Sequence, residues 1–542
     1  MLDSSVLCRR FVGLLVAVAV PAFADAAPQQ EAALELSLPD AVQLAFENNL
    51  DIRVVAYDRS LAEERVTTAK GQFEPSLFFG VPGAIGVTPY PTGGAFGGGS
   101  GFGGLGYSNQ RFPVSTQLAG ADVTTQRSFA SLLDFQQQLG FGLRYDVSYV
   151  ASRTDSNSIF NSLNPAWNNT LAVSVVQPLL NGRGRDATQA SLRLARANTA
   201  VSRVSFVAQV EQVLLQVEQA YWELVFAERD LEVKESSWRL ATEQLERTRV
   251  QVEVGLTAPV EATQAEVQVA GRETDLIVAR NALDNSRDAL RALLRADRLP
   301  AGWETQLIAT EEPTVVAAEI DVDAAVQQAR ERRAEMAAAA ATIGARHVEV
   351  EATRNALLPR IDLIGQVSAN GIGGDLIVRD GFFGDVVEVV PGSYNDAVKE
   401  LFGLGFTSWS AGFNITVPLG NSAAEGNYAQ ATLNEDRART ERLRTEQQIV
   451  LEVRLAARGV RAASEAVEST RKTLGLAEQQ LGIETDRFDV GMSTNFEVLQ
   501  FQDQLAVARS QELRARIEHQ RATAELARAT GTLLDKYGIR IQ

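Results

Sequence analysis

The sequence consists of two related halves, and a repeat of this length constrains the fold more than any other feature. The segment 36–42 (LSLPDAV) recurs as 320–326 (IDVDAAV), 284 positions later. Near the other end, 254–256 (VGL) recurs as 490–492 (VGM), 236 positions later. Because the landmarks follow the same order in both halves, we expect the two copies to share one architecture.

The first copy is longer because it holds an insertion. Pro178 corresponds to Pro418 at an offset of 240, which places about 44 extra residues between Pro75 and Pro178. That interval contains 12 glycines between Gly80 and Gly106. We therefore predict a first copy at 25–297 with a Gly-rich insertion at about 80–128, a linker at 298–320 and a second copy at 321–542.

Each copy is predicted to contain a helix, a β segment, a very long helix, a glycine-containing turn and a last helix. The predicted bounds are 38–71, 75–178, 185–252, 253–258 and 259–297 in the first copy, and 321–357, 359–418, 423–488, 489–494 and 495–536 in the second.

Both long helices carry a large residue, mostly aliphatic, at every seventh position, and several heptads place alanine three residues later. The two series are Val210, Val217, Leu224, Leu231, Trp238, Leu245 and Val252, and Val453, Val460, Val467, Leu474, Leu481 and Phe488. A seam of large and small residues lets helices interlock, and a strict period of seven imposes a left-handed supercoil. A helix over 185–252 would span about 100 Å. We predict coiled-coil walls; the alternative is a solvated coiled-coil spacer.

The β segments alternate between apolar and polar residues. Apolar side chains from Leu139 to Tyr149 alternate with polar residues and glycines, and Trp409 to Val417 repeats the pattern. Such alternation with aromatic residues near the ends is typical of transmembrane β-barrels, although a soluble sandwich has the same period. If all helices lie in one compartment, each β segment crosses the membrane an even number of times. Two crossings per copy give four strands, which cannot close a barrel, so separate chains must combine their strands.

The N-terminus and the composition restrict location and chemistry. Arg9 and Arg10, an apolar run and the Ala22–Ala24 site predict a signal peptide at 1–24. A net charge of −17 argues against nucleic-acid binding. His347 and His519 are the only histidines, and we interpret both as ordinary surface or packing residues. We therefore expect no enzyme activity, no metal site and no cofactor.

At this point the sequence resembles the TolC-type outer-membrane efflux proteins. The matching stretches lie in both copies and include 36–49, 73–77, 177–182, 220–222, 487–491 and 524–533. The resemblance implies an α+β membrane protein: a homotrimer with a 12-stranded barrel in the outer-membrane lipid, continued by a periplasmic helical tunnel. It also implies a passive exit duct for efflux or type I secretion in a Gram-negative bacterium, opened by a periplasmic adaptor and an inner-membrane transporter.

The resemblance further implies that the two glycine-containing turns are the adaptor-docking tips. The first tip comprises Val254, Gly255, Leu256 and Thr257, and the second comprises Val490, Gly491, Met492 and Ser493. Glycine ends a helix readily in the left-handed conformation. Thr257 and Ser493 are candidates to cap the helices that follow. A purely structural hairpin turn would have the same local chemistry.

The family's periplasmic gate implies acidic residues just after the tips. Glu261 and Glu497 occupy those positions, and three-fold symmetry would turn each into a carboxylate ring that favours cations. The chain departs from the family pattern at Phe488, Ser493 and Gln500, which replace a tyrosine, an arginine and a second acidic residue. We therefore expect the periplasmic gate to close more through side-chain packing than through polar contacts. Alternatively, both glutamates are first-turn carboxylates that favour the helix dipole.

Two other functions remain open on the sequence. A stand-alone diffusion porin would not need about 100 Å of periplasmic helix, and a structural periplasmic coiled coil would not need lipid-facing alternation. The exported substrate and the partner transporter are not encoded in any pattern we recognise.

Overall fold

The structure is a computed structural model that describes residues 33–80, 106–113, 123–158, 161–255, 258–315, 319–381 and 384–541. The predicted signal peptide and most of the glycines of the insertion lie outside these residues. The elements of the first half are β1 (Ala33–Leu36), α1 (Leu38–Asn48), α2 (Leu50–Gly71), β2 (Ser76–Gly80), β3 (Gly106–Pro113), β4 (Val123–Gln138), β5 (Arg144–Ser156), β6 (Leu163–Pro178), α3 (Gly184–Thr188), α4 (Ala190–Glu253) and α5 (Pro259–Leu294).

The second half repeats the plan with fewer strands. Its elements, preceded by β7 (Gln306–Ala309) in the connection, are α6 (Val322–Arg332), α7 (Ala334–Ala356), β8 (Arg360–Arg379), β9 (Val386–Val390), α8 (Tyr394–Gly403), β10 (Phe406–Thr416), α9 (Ser422–Asp489), α10 (Asn495–Ala529) and α11 (Leu533–Lys536). Among the described helices, none combines the length and the apolar character that crossing a membrane would require.

The two long helices, α4 and α9, have 64 and 68 residues and bury the heptad positions that the sequence singles out. Val210, Val217 and Leu224 on α4 are fully buried, and Val453 and Val460 on α9 are buried as well. Their shorter neighbours lie alongside: α2 and α5 contact α4, whereas α7 and α10 contact both α4 and α9. The shorter helices α7 and α10 therefore pack against both long helices, and α2 and α5 pack against α4.

Each predicted first helix is broken at one residue, and the two breaks correspond to each other. Asn49 separates α1 from α2, and Arg333, 284 positions later, separates α6 from α7. The Asn49 amide donates to the Leu293 carbonyl at 2.9 Å, and the Arg333 guanidinium donates to the Ala529 carbonyl at 3.4 Å. Leu293 and Ala529 are 236 positions apart, so both breaks hold the end of the last helix of their own half. Different side chains thus donate hydrogen bonds to corresponding carbonyls at the C-termini of α5 and α10, where the carbonyls have no partner within the helix.

Eight of the ten described strands form one sheet in the order β10-β8-β6-β5-β4-β2, with β3 beside β2 on β4 and β9 on β8, whereas β1 and β7 form a separate parallel pair. β2 and β3 pair with consecutive parts of β4, so they share one position in the sheet. The first half therefore contributes four strand positions and the second half two. The prediction of two strands in the first copy is wrong, because β4, which extends into the predicted insertion, and β2–β3 add two strand positions to β5 and β6.

The sheet has two chemically different faces, and the register shows both. One row of paired residues on the first face is Leu77, Phe135, Val147, Val173, Val367 and Trp409. The adjacent row on the other face is Gln136, Asp146, Ser174, Gln366 and Ser410. Side chains of successive residues point to opposite faces, so one face is apolar across all six positions and the other is polar.

The predicted strand that starts at Leu139 begins too early. Residues 139–143 form the turn between β4 and β5, in which the Leu139 amide donates to the Leu143 carbonyl at 2.7 Å. Gly142 has φ +106°, and a Cβ there would lie 2.9 Å from the Gly182 carbonyl oxygen. The alternation therefore continues through a turn that packs against the start of the helical part.

Candidate functional site

The second tip is a tight turn between α9 and α10. Gly491 has φ +76°, and its amide donates to the Phe488 carbonyl at 3.0 Å, while the Met492 amide donates to the Arg487 carbonyl at 2.8 Å. This is the left-handed helix ending that glycine permits at little cost. The side chains of Val490 and Met492 are exposed at the end of the hairpin.

Thr494, and not Ser493, caps α10. The Thr494 hydroxyl accepts a hydrogen bond from the Glu497 amide at 3.3 Å, and the Glu497 carboxylate accepts one from the Thr494 amide at 3.0 Å. This reciprocal pair is a capping box. The hydrogen bonds from the Thr494 amide and then from Ser493 and the Thr494 hydroxyl hold the pKa of Glu497 below its ordinary value. The capping prediction for Ser493 is therefore wrong.

Ser493 instead connects two carboxylates. Its hydroxyl hydrogen-bonds Glu484 on α9 and donates to Glu497 at 2.9 Å on α10. Glu484 is buried and also pairs with Arg487 at 3.0 Å. Glu484 was not predicted from the sequence, although its spacing of three residues from Arg487 on a helix was a usable signal.

The first tip has the same backbone ending. Gly255 has φ +77°, its amide donates to the Val252 carbonyl at 3.0 Å, and the Val254 side chain is exposed. Leu256 and Thr257 lie outside the described residues. α5 begins at Pro259 with Ala258 as its N-cap, and Glu261 occupies the third position of the helix, as Glu497 does in α10.

Side chains join the two hairpins near the tips. The Gln244 amide on α4 donates to the Asn495 side-chain oxygen at 2.6 Å, and both residues are buried. Deeper along the hairpins, Arg272 on α5 forms an ion pair with Asp503 on α10. Phe488 is half-buried at the end of α9, whereas Gln500 is exposed on α10. These two contacts link the α4–α5 hairpin of the first half directly to the α9–α10 hairpin of the second half.

Helices α2 and α9 both expose apolar residues on their surfaces. On α2 the exposed residues Leu50, Val54, Tyr57 and Leu61 form one stripe, and α9 exposes a series along its length. The α9 series is Leu433, Leu443, Leu451, Leu455, Leu476 and Ile483. At the sheet, β10 pairs only with β8, and all eleven of its residues are exposed. A surface of this kind is typical of an interface with another protein or with lipid.

The histidines do not form a metal site among the described residues, where no cluster of three or more suitable ligands was found. His347 lies 3.6 Å from Glu351 and 3.5 Å from Glu435, and these carboxylates also pair with Arg193 and Arg439. Glu351 is the neighbour that helical spacing of four residues predicts, whereas Glu435 comes from α9 and could not be predicted from the sequence around His347.

The fold agrees with comparisons to known proteins. A family model described as "Outer membrane efflux protein" matches residues 119–295 and 308–532. Outer membrane protein TolC of Vibrio cholerae is 24% identical over 353 residues, which are 64% of this chain and 74% of TolC.

Two solved structures show the same fold. The CmeC outer membrane channel of Campylobacter jejuni gives a TM-score of 0.63 at 15% identity and covers 92% of this chain and 86% of its own. The outer membrane protein VceC of Vibrio cholerae gives a TM-score of 0.60 at 16% identity, with coverage of 91% and 96%.

The architecture is therefore that of the TolC-like outer-membrane channels. The chain belongs to the outer membrane efflux protein family, whose model matches well over half of it. The predicted resemblance is confirmed, and so is the predicted location, an outer-membrane protein with a helical extension in the periplasm.

Proposed function

We propose that three copies of this chain form the passive exit duct of a tripartite efflux or type I secretion system. The observation that carries the proposal is a sheet whose edges, β10 and β2–β3, have no further strand partner within the described residues, joined to helices about 100 Å long. Unpaired backbone groups at such edges cost several kcal/mol each in hydrocarbon. A second copy that pairs its β2–β3 edge with β10 removes this cost, and a ring of copies removes every edge.

The number of strands in the proposed barrel follows from the sheet. Each copy supplies six strand positions, so three copies would close a barrel of eighteen strands and not the twelve that the family resemblance implies. Because barrel diameter grows roughly in proportion to strand number, this barrel would be wider than one made of four strands per copy. The polar face, with Asp146, Ser174 and Gln366, would line the lumen.

The two tips are the proposed docking points for the periplasmic adaptor, through which the duct contacts the inner-membrane transporter. Both tips combine a left-handed glycine with exposed apolar side chains. The test is co-purification of the adaptor with the Gly255→Val and Gly491→Val variants, which strain the turn because valine disfavours positive φ. Gly475→Ala is the matched control, since this helical glycine has open space around it.

Loss of the adaptor with either tip variant, and not with Gly475→Ala, supports the proposal. A stand-alone porin would transport small solutes equally well with all three variants. A structural periplasmic protein would be extracted from cells without detergent.

Glu261 and Glu497 are proposed to form two acidic rings at the narrow end of the duct, with Phe488 and Gln500 nearby. Their equivalent places in the first turns of α5 and α10 support this assignment. We expect the double variant Glu261→Ala and Glu497→Ala to weaken cation selectivity in single-channel recordings, because rings of carboxylates attract cations. Unchanged ion selectivity would leave Glu497 with its capping role alone.

A further inference from the structure

The last strand position of the sheet is interrupted by a helix. β10 pairs with β8 up to Asn370, and β9 pairs with β8 from Leu376 onward. Between them, neither strand pairs with residues 371–375 of β8. The chain leaves the sheet here and forms α8, which contacts β8 and β6.

The backbone of α8 lies directly on the strands. A Cβ at Gly371 would lie 2.0 Å from the Ala397 carbonyl oxygen, and one at Gly373 would lie 2.5 Å from that of Ser393. The Glu400 carboxylate accepts a hydrogen bond from the Ile372 amide at 3.0 Å, within the stretch that β9 and β10 leave unpaired. Ala397 and Leu401 are buried underneath. The helix is thus built into the sheet and is not a loose loop.

α8 lies on the apolar face. Gly371 and Gly373 alternate in phase with Val367, whose partner is Trp409. The Tyr394 hydroxyl lies 2.8 Å from the Tyr149 hydroxyl, and its ring packs edge-on against Trp167 at 5.2 Å. Since β8 starts next to the helical part at Arg360, these contacts lie toward the far end of the sheet, where the apolar rows give way to aromatic and polar residues.

The exposed side of α8 changes character along its length. Near its beginning it shows Asn395 and Asp396, Lys399 follows in its second half, and at its end Phe402 is 70% exposed. Leu404, in the connection to β10, is 62% exposed. Because Ser393 lies over Gly373 and Leu401 over Gly371, the apolar end of α8 is the one nearer to the apolar band.

We propose that α8 is an interfacial helix that binds lipid of the outer leaflet, with Phe402 and Leu404 among the acyl chains and Asn395 and Lys399 at the headgroups. Tyrosine and tryptophan are enriched at such interfaces, and amphipathic helices bind them through their apolar side. The proposal rests on the membrane placement of the sheet.

The test uses full-length protein reconstituted into phosphatidylethanolamine–phosphatidylglycerol vesicles with nitroxide lipids. Residues 25–542 contain no cysteine, so single cysteines carrying a fluorophore can be placed by Phe402→Cys and Lys399→Cys. Phe413→Cys on the apolar face is the lipid-contact control, and Asn414→Cys on the polar face is the control for the lumen.

We expect acyl-chain nitroxides to quench position 402 within about twofold of position 413, and headgroup nitroxides to quench position 399 more than acyl-chain nitroxides do. Quenching of 402 only by an aqueous quencher would overturn the proposal, as would protection from both lipid and water, which would indicate a second copy over α8. If position 413 is not quenched by lipid either, the sheet itself is not in the membrane, and the duct proposal fails instead.

Discussion

The orientation of the sheet can be tested with two adjacent residues of β10. Phe413 lies on the apolar face, pairs with Leu363 and is 65% exposed, whereas Asn414 lies on the polar face and pairs with Asp362. An arginine at position 413 must enter lipid, and an arginine at position 414 enters the proposed lumen beside a carboxylate. The two substitutions add the same side chain one residue apart, so each serves as the control for the other.

The magnitude follows from the depth of Phe413. β10 ends at Thr416, three residues further, so Phe413 lies about 10 Å along the strand from the end of the sheet near the helices. Arginine on the lipid face costs about 2–4 kcal/mol at the midplane and about 0–1 near the interface. We therefore expect Phe413→Arg to cost about 2 kcal/mol per copy, or about 6 kcal/mol in a trimer, and Asn414→Arg to cost close to nothing.

The assay measures the fraction of protein recovered from outer membranes as an SDS-resistant oligomer, and the urea midpoint of unfolding from vesicles. Phe413→Arg should reduce both quantities, and Asn414→Arg should leave both near the wild-type values. Equal losses for the two variants, or a larger loss for Asn414→Arg, would refute the assignment of the faces.

Three further predictions concern the helical part. Thr494→Ala removes the cap of α10 and should cost about 1 kcal/mol, seen as faster amide exchange at Glu497 and Val498; Thr470→Ala, in the middle of α9, should leave that exchange unchanged. Ala227→Leu overfills a buried seam and should lower stability by about 1–3 kcal/mol, whereas Ala200→Leu on the exposed side of α4 should not. Burial first, and then Glu335, raise the pKa of Glu211 from 4.5 to about 7. The stability that neutral Glu211 contributes is therefore lost as pH rises from 4.5 through about 7, so Glu211→Gln should match the wild type at pH 4.5. At pH 8 it should exceed the wild type by up to about 3 kcal/mol in chemical denaturation.

The long helices and the tips were predictable because their signals are local and repeated. A heptad of large, mostly apolar residues marks the buried and half-buried side of α4 from Val210 and of α9 from Val453, and Gly255 and Gly491 both adopt the positive φ that ends a helix. The capping residue was predicted one position too early, at Ser493. Three consecutive polar residues in that turn offer several possible caps, and only the geometry selects Thr494.

Strand β4 was missed because its alternation is interrupted. In β4, Leu132 and Leu133 are adjacent apolar residues; Leu132 is buried on one face and Leu133 is exposed on the other. A period-two pattern therefore fails in the middle of a real strand, whereas it continues through the turn at 139–143. Alternation of apolar and polar residues indicates which side chains are buried. It does not by itself mark where a strand begins or ends.

α8 and the helix breaks depend on contacts that are distant in sequence. Ser393 and Asp396 form a capping box that signals a helix start, but its placement depends on Gly371 and Gly373. Asn49 and Arg333 are different residues at the same place in the two copies, and their common role is visible only through the carbonyls of Leu293 and Ala529.

The central claim is that separate chains must combine their sheets, because one chain leaves two edges open. The most direct measurement is the native mass of the full-length protein extracted from outer membranes in mild detergent. Three copies of the chain per particle is the predicted result. A particle of one copy, stable in the membrane with both edges of its sheet unpaired or closed on each other, would contradict the account.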